Sequence, residues 1–188
     1  MPLPLHIFEP RYKLMISHCV EGHQEFGVVL AKAEGLADVG CTAAITEVVR
    51  KYADGRMDIL TEGRSRYHLL EVFEEKPYYE AEVEYLADEG APAESAVQKK
   101  VLELYDRCCQ LLYGRPAGTT NSGPGQSIAF QIAAELPLDL DYKQGLLEKP
   151  GESERQSDLL ARMNDWVPQL IRRSFVQKKA RGNGHGAT

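Results

Sequence analysis

The sequence predicts an α+β protein in which an antiparallel β-sheet, curled into a twisted barrel, precedes a helical region. Between residues 25 and 86 the apolar positions recur with a period of two, and tight turns separate the segments. From residue 93 the apolar period is helical, and 188 residues suffice to bury a core without disulfides. The expected subdivision is a β-barrel with one short helix at 1–90, a helical subdomain at 91–175 and a disordered basic tail at 176–188.

The amino-terminal segment predicts an extended entry followed by one short helix. Pro2 and Pro4 hold residues 2–8 out of the helical region. The helix is expected to begin at Pro10, because proline is favoured in a first helical turn, and to end before Gly22. Its apolar positions recur at intervals of three and four residues: Tyr12, Met15, Ile16, Cys19 and Val20.

Two strands and a hairpin turn are predicted next. Residues 25–33 and 39–52 have the pattern of strands. The adjacent Val48 and Val49 break the alternation of the second strand, which indicates a β-bulge. The dipeptide Asp54-Gly55 is typical of a tight turn between two antiparallel strands.

The segment after this hairpin is predicted to turn again at residues 63–65, where a new strand begins. The clearest strand follows at 78–86. Apolar and acidic residues alternate along it, so we expect one face to be half buried and the other to face water. The apolar face contains Tyr79, Ala81, Val83 and Tyr85, and the acidic face contains Glu80, Glu82 and Glu84.

Four helices are predicted in the second half of the chain. Gly114 ends the first of them, and the glycine-, proline- and serine-rich residues 114–125 are expected to form a loop. Pro168 is expected to kink the last helix. The predicted helices cover 93–113, 126–136, 140–148 and 152–175.

The charge distribution limits the partners that the protein can bind. The formal net charge is -6, from 22 basic and 28 acidic residues. Five basic residues and no acidic residue follow Asp165, so residues 1–165 hold 17 basic against 28 acidic residues, about -11. Because residues 1–165 carry this negative charge, they repel phosphate backbones, and we do not expect nucleic-acid binding.

No apolar run has membrane-spanning length and no signal peptide is recognisable, which predicts a cytoplasmic protein without a membrane partner.

The sequence predicts no catalytic, cofactor or metal site. It has no nucleotide-binding GxxxxGKS/T loop and no GxSxG nucleophile elbow, and its four cysteines show no CxxC spacing. His18, Cys19 and His23 are the best metal-ligand candidates. Positions 18 and 19 face different sides of a helix, however, and His23 follows Gly22, so we expect scattered histidines and reduced thiols.

Six segments, in order along the chain, carry a family resemblance: PLPLHIFEPRY at 2–12, FGVV at 26–29, VGCTAAI at 39–45, DGRMDILTEGRSRY at 54–67, YYEAEVEYL at 78–86 and a helical segment at 132–160. Together they resemble the amino-terminal, substrate-binding domain of Lon proteases. The resemblance implies a PUA-like β-barrel beside a helical bundle, which holds unfolded or marked polypeptides for a protease or unfoldase. In full-length Lon enzymes an ATPase and a Ser-Lys protease domain follow, and this sequence has no counterpart of either. It therefore looks like a stand-alone, non-catalytic Lon-domain protein.

The resemblance leaves two alternatives open. Relatives carry a hydrophobic strand before the segment that matches residues 2–12, so either the true start lies upstream of Met1 or the barrel lacks its first strand. In the second case an open sheet edge would favour homo-oligomers. PUA-like barrels elsewhere recognise structured RNA, which makes RNA binding the alternative function, although the acidic body opposes it.

The candidate binding residues come from the family pattern and from aromatic side chains expected at the surface. They are expected to form a polar and aromatic ridge beside the barrel mouth. The alternative interpretation is structural: Glu9 and Arg66 satisfy each other, and the glycines permit tight turns. The candidate peptide-binding residues are Glu9, Arg11, Tyr12, Phe26, Arg66 and Tyr78.

Overall fold

The computed structural model describes residues 2–89, 93–121 and 126–182, with the backbone alone for the last seven. The chain divides into two compact units, Met1–Ala87 and Asp88–Thr188. The first, the β unit, is built around an antiparallel sheet, and the second, the helical unit, consists of helices and their connections.

The β unit begins with a strand and a helix, and the rest of its regular structure is β-strand. The helix starts at Pro10 as predicted, and His23 ends it in the left-handed conformation, with a φ of 50°. The elements are β1 (Leu3–Ile7), α1 (Pro10–Gly22), β2 (Phe26–Val28), β3 (Ala31–Lys32), β4 (Gly35–Leu36), β5 (Val39–Lys51), β6 (Met57–Phe73) and β7 (Glu80–Leu86).

The main sheet is open, so the structure does not confirm the predicted barrel. Its order is β1-β6-β5-β2, and β7 also pairs with β6. Because β5 occupies the other side of β6, β1 and β7 lie one after the other along the same side, against residues 57–61 and 66–73. The described residues show no pairing of β2 with β1 or β7. The physical reason is that β2 is short, and the chain after it forms a separate β3–β4 hairpin.

The long β5–β6 pair contains the predicted bulge, but it does not contain the predicted turn at residues 63–65. The register shifts between Val48 and Arg50, which confirms the bulge there. At 63–65 the strand β6 runs on without interruption. A second register shift, between Cys41 and Ala43 of β5, lies opposite these residues. There the Thr42 hydroxyl accepts a hydrogen bond from the backbone N–H of Ser65 at 3.0 Å.

The strand predicted at 78–86 begins at Glu80, and its apolar face is not half buried as a whole. Tyr79 is 58% exposed and Tyr85 is 65% exposed. The core of the β unit instead lies between α1 and the sheet. Its buried members are Ile7, Ile16, Cys19, Phe26, Ala43, Met57 and Ile59.

The helical unit contains the four predicted helices. Gly114 ends the first with a φ of 69°, as glycine does at helix carboxyl termini, and Pro168 lies inside the last. Disorder was expected from residue 176, but the last helix continues to Gly182 because its lysine, alanine and arginine residues favour helix. Residues 183–188 of the expected tail lie outside the described residues. The helices are α2 (Ser95–Tyr113), α3 (Ile128–Glu135), α4 (Leu140–Glu148) and α5 (Glu152–Gly182).

The core of the helical unit combines an apolar cluster with one buried arginine. Arg155 of α5 is fully buried, and its guanidinium donates hydrogen bonds to both carboxylate oxygens of Asp88 and one to Glu152. The Glu152 carboxylate also accepts hydrogen bonds from the Ser127 hydroxyl and the Ala129 N–H at the start of α3. The fully buried side chains of the apolar cluster are Val101, Cys108, Cys109, Ala129, Ile132, Leu159 and Met163.

Candidate functional site

The start of α1 brings three of the predicted binding residues together. Glu9 is the residue before the helix, and the Arg11 Nε donates to its Oε2 at 3.0 Å. The Arg11 guanidinium also lies 4.6 Å from the centre of the Tyr12 ring. Glu9 and Arg11 side chains are each 40% exposed, so this group is accessible to a ligand. Glu9 is thus paired with Arg11, its near neighbour in the chain.

Phe26 and Arg66 occupy buried positions, contrary to the expectation that they contribute to a surface ridge. Phe26 is 9% exposed and belongs to the core of the β unit, because β2 directs its ring under α1. Arg66 is 6% exposed and donates to the Ala87 carbonyl at 3.3 Å. Their side chains therefore support the fold around β2 and β6.

Tyr78 is half buried at the other end of α1. Its hydroxyl lies 3.0 Å from the His18 Nδ1, and Lys76 lies 5.8 Å from its ring centre. Tyr12 and His18 are six positions apart, so with 3.6 residues per turn they lie on different sides of α1. The six predicted residues therefore do not form one continuous surface.

Apolar and aromatic side chains that are not fully buried line one face of the β6–β7 pair, which we call the β6–β7 apolar face. Cross-strand pairing places Leu69 opposite Val83 and Val72 opposite Ala81, and none of these side chains is fully covered. Tyr85 continues the same alternation on β7, and Tyr79 is the residue immediately before the strand. We define this face by Leu69, Val72, Tyr79, Ala81, Val83 and Tyr85. The sequence pattern identified the β7 half of it and predicted that it is half buried.

The outer side of β7 is a sheet edge. Within the described residues β7 pairs with β6 alone, so one row of its backbone N–H and C=O groups is open to a further strand. Glu80, Glu82 and Glu84 project from the opposite face of β7. An added strand would therefore meet apolar contacts on one face and carboxylates on the other.

An aromatic–cationic row that the sequence pattern does not reveal crosses the outer face of the sheet. His6, Asp58 and Arg50 lie opposite one another on β1, β6 and β5, with Phe8 and Tyr52 beside them. The His6 ring lies 6.0 Å from that of Phe8 and 6.1 Å from that of Tyr52. Residues 6 and 8 are far from residues 50–58 in the chain, and the strand register brings the two segments together. We define the row as Phe8, His6, Tyr52, Arg50, Arg56 and Asp58.

Asp58 gives this row a testable pH dependence. Its carboxylate interacts with the His6 Nδ1 at 2.5 Å and accepts from the Tyr52 hydroxyl at 2.8 Å, and these hydrogen bonds lower its pKa. A carboxyl with a lowered pKa in the folded state stabilises the fold above its unfolded pKa of about 3.9, and this stabilisation is lost as the pH falls through the folded pKa. We expect the thermal midpoint to fall more steeply below about pH 4 in the wild type than in Asp58→Asn. Parallel melting curves across the acid range would contradict this assignment.

The described residues offer little that could hold a metal or act as a nucleophile. They contain no group of three His, Cys, Asp or Glu side chains placed to bind one ion. No helix among them is long and apolar enough to cross a membrane. All four cysteines are unpaired, and burial raises the pKa of the Cys108 thiol to about 11, which keeps it protonated at neutral pH.

Comparison with known proteins settles the family. The model of the ATP-dependent protease La (LON) substrate-binding domain matches residues 1–165. The chain belongs to the Lon substrate-binding domain family. Among curated relatives, it is 26% identical to a Lon protease of Anaeromyxobacter dehalogenans over 177 residues, which is 86% of this chain and 21% of that protein. It is 27% identical to a Lon protease of Flavobacterium johnsoniae over 151 residues, 76% of this chain and 18% of that protein. The chain thus spans about a fifth of the length of these relatives.

Solved structures of Lon amino-terminal domains share this fold. A Lon N-terminal domain protein from Xanthomonas campestris superposes with a TM-score of 0.66 at 20% identity, covering 86% of this chain and 89% of that one. The N-terminal domain of a Mycobacterium avium complex Lon protease gives a TM-score of 0.61 at 16% identity, covering 89% and 90%. These matches confirm the Lon N-terminal fold predicted from the sequence.

Proposed function

We propose that this chain is a non-catalytic polypeptide-binding module that holds unfolded or marked segments on the β6–β7 apolar face. The observation that carries the proposal is the exposure of Tyr85, 65% on β7, and of Tyr79, 58% immediately before it, beside a strand edge that pairs with no other strand among the described residues. Contiguous exposed apolar surface of this kind is typical of interaction sites. Binding is proposed in preference to proteolysis because the matched part of the relatives is their substrate-binding domain.

The proposed binding mode is addition of a strand to β7. Backbone hydrogen bonds along the open edge would recognise any extended polypeptide, and the tyrosines would bury apolar side chains at alternate positions. Native proteins have few free extended segments, so the module would select unfolded ones. The ordering of a flexible segment opposes binding, and the affinity is therefore expected to be modest. A protease or unfoldase in the cytoplasm is the proposed recipient of the bound segment.

The test is isothermal titration with reduced, carboxymethylated lactalbumin as a permanently unfolded probe. Native lactalbumin is the matched ligand control. Heat is expected with the unfolded probe alone, and the double variant Tyr79→Ser/Tyr85→Ser is expected to weaken binding by at least about tenfold, because each tyrosine buries a large apolar area. Phe175→Ser removes another exposed aromatic ring, 70% exposed on α5, and should leave the affinity unchanged.

Several results would contradict the proposal. Equal affinities of the wild type and the double variant would remove the β6–β7 apolar face from the binding site. Concentration-dependent self-association that disappears in the double variant would show that this face binds a second copy of the chain. Tighter binding to a structured RNA than to unfolded protein would favour the RNA-binding alternative.

A further inference from the structure

The aromatic–cationic row has a defined geometry on the face of β1, β6 and β5. Phe8, at one end, is 60% exposed and stacks on His6 at an interplanar angle of 20°. At the other end the Arg50 guanidinium lies 4.6 Å from the centre of the Tyr52 ring. Arg56 approaches the same ring at 5.0 Å. The row therefore presents an exposed apolar ring and an arginine held by an aromatic face.

The charges in the row are not equally satisfied. Asp58 is held by His6 and by the Tyr52 hydroxyl. The Arg56 Nε forms an ion pair with the Asp54 Oδ2 at 2.7 Å. Arg50 is exposed and, among the residues that the structure describes, has no carboxylate partner within ion-pair distance. Arg50 lies opposite Asp58 and its charge helps to lower the pKa of that carboxyl, but the two side chains form no ion pair. Arg50 is thus the cation of the row that remains available to a ligand.

We propose that the aromatic–cationic row binds a polypeptide segment that places an aspartate or glutamate carboxylate on Arg50 and an apolar side chain on Phe8. Consecutive groups from Phe8 to Arg50 are separated by 6.0, 6.1 and 4.6 Å, so the two ends are at most about 17 Å apart. An extended peptide advances about 3.3 Å per residue, so the two ligand side chains lie no more than about five residues apart. This surface is separate from the β6–β7 apolar face and extends the proposed function to acidic segments.

The charge balance favours a polypeptide over a nucleic acid. A phosphate backbone gains affinity by contacting several cations at once. The row offers one unpaired guanidinium, with the carboxylates of Asp54 and Asp58 close by, and the chain has a net charge of -6. A single carboxylate within about five residues of an apolar side chain matches this arrangement, because it needs one cation and one exposed ring.

The test measures fluorescence anisotropy of a labelled glycine–serine peptide that carries one phenylalanine and one aspartate four positions apart. The control peptide has asparagine in place of aspartate. The full-length wild type is expected to bind the aspartate peptide about two- to fivefold more tightly, as for an exposed ion pair, and added salt should reduce the difference. Arg50→Gln should abolish this discrimination. Arg56→Gln should retain it, because the charge of Arg56 is already paired.

A second variant tests the apolar end of the row. Phe8→Ala is expected to weaken both peptides about tenfold, since the ring supplies most of the apolar contact. If Phe8→Ala fails to fold, Arg50→Gln, at an exposed position, still decides the proposal. Discrimination that survives in Arg50→Gln would overturn it, and so would tighter, Arg50-dependent binding of a labelled oligothymidylate. Tyr79→Ser/Tyr85→Ser should keep the discrimination, which separates this proposal from a failure of the β6–β7 apolar face.

Discussion

Replacing Arg155 with alanine is expected to lower the free energy of unfolding of the helical unit by about 3–5 kcal/mol, the range for breaking a buried ion pair. The Arg155 side chain has no exposed surface, and its guanidinium also lies 4.6 Å from the Phe130 ring centre. Alanine would leave a cavity and would remove a donor from the Lys149 carbonyl, 3.1 Å from Nη1. It would also leave the Glu152 carboxylate without its cation beside the start of α3.

The measurement is urea denaturation followed by the fluorescence of Trp166, the single tryptophan, which packs against the core of the helical unit. The matched control is Arg162→Ala on the same helix. Arg162 pairs with Asp139 and stacks on Tyr142, but its side chain is 47% exposed, so we expect a loss below about 1 kcal/mol. Equal losses for the two variants would show that burial does not determine the role of Arg155.

A third variant separates packing from charge. Arg155→Met fills part of the cavity but provides no cation for Asp88 and Glu152. If packing dominates, the methionine variant should recover a large part of the loss, as apolar replacements of buried ion pairs can do. If the variant is as unstable as Arg155→Ala, the ion pairs and hydrogen bonds account for most of the stabilisation.

Local sequence signals predicted the helices well, because the residues that start and end them act over three or four positions. The predicted range 140–148 is that of α4. The helix begins there because the Asp139 carboxylate accepts a hydrogen bond from the Tyr142 N–H at 2.8 Å. Gly114 likewise ends α2 by its own backbone conformation. Such signals need no information from distant parts of the chain.

The strand contacts were predicted less well because they depend on register. A turn was predicted at residues 63–65 from their composition, but β6 continues through them. The Thr42 hydroxyl on the neighbouring strand accepts the hydrogen bond of the Ser65 N–H there. Phe26 was expected at the surface but lies in the core. The sequence of a three-residue strand does not reveal which of its faces meets a helix. The aromatic–cationic row could not be predicted, since its members lie on three strands or directly beside their ends and only the strand pairing aligns them.

The second large effect is expected at Gly40, where a side chain would collide with a buried ring. Gly40 lies opposite Tyr67 in the β5–β6 pair, and a Cβ there would overlap the tyrosine ring well inside van der Waals contact. Tyr67 is 4% exposed, and its hydroxyl donates to the Val28 carbonyl at 3.2 Å. A Cβ at Gly27 would also lie 2.9 Å from that hydroxyl. The ring thus fills the space that two glycines leave open on neighbouring strands.

Gly40→Ala is expected to destabilise the β unit by about 1–3 kcal/mol, because overpacking displaces the ring or shifts the strand. Deuterium exchange of the β5 and β6 amides measures this loss in the β unit alone. Gly63→Ala is the matched control: its Cβ would meet the Cys41 Sγ at 3.3 Å and the Thr42 carbonyl oxygen at 4.0 Å, and the cost should be smaller.

A double-mutant cycle then decides whether the ring is the cause. Tyr67→Ala should be costly by itself, since it removes a buried aromatic side chain. In that background, however, Gly40→Ala no longer meets the ring, so its additional cost should largely disappear and the two changes should be strongly non-additive. If the costs add, the alanine acts through the strand backbone and not through the ring. Non-additivity would instead show that glycine is required at position 40 because the Tyr67 ring packs against it.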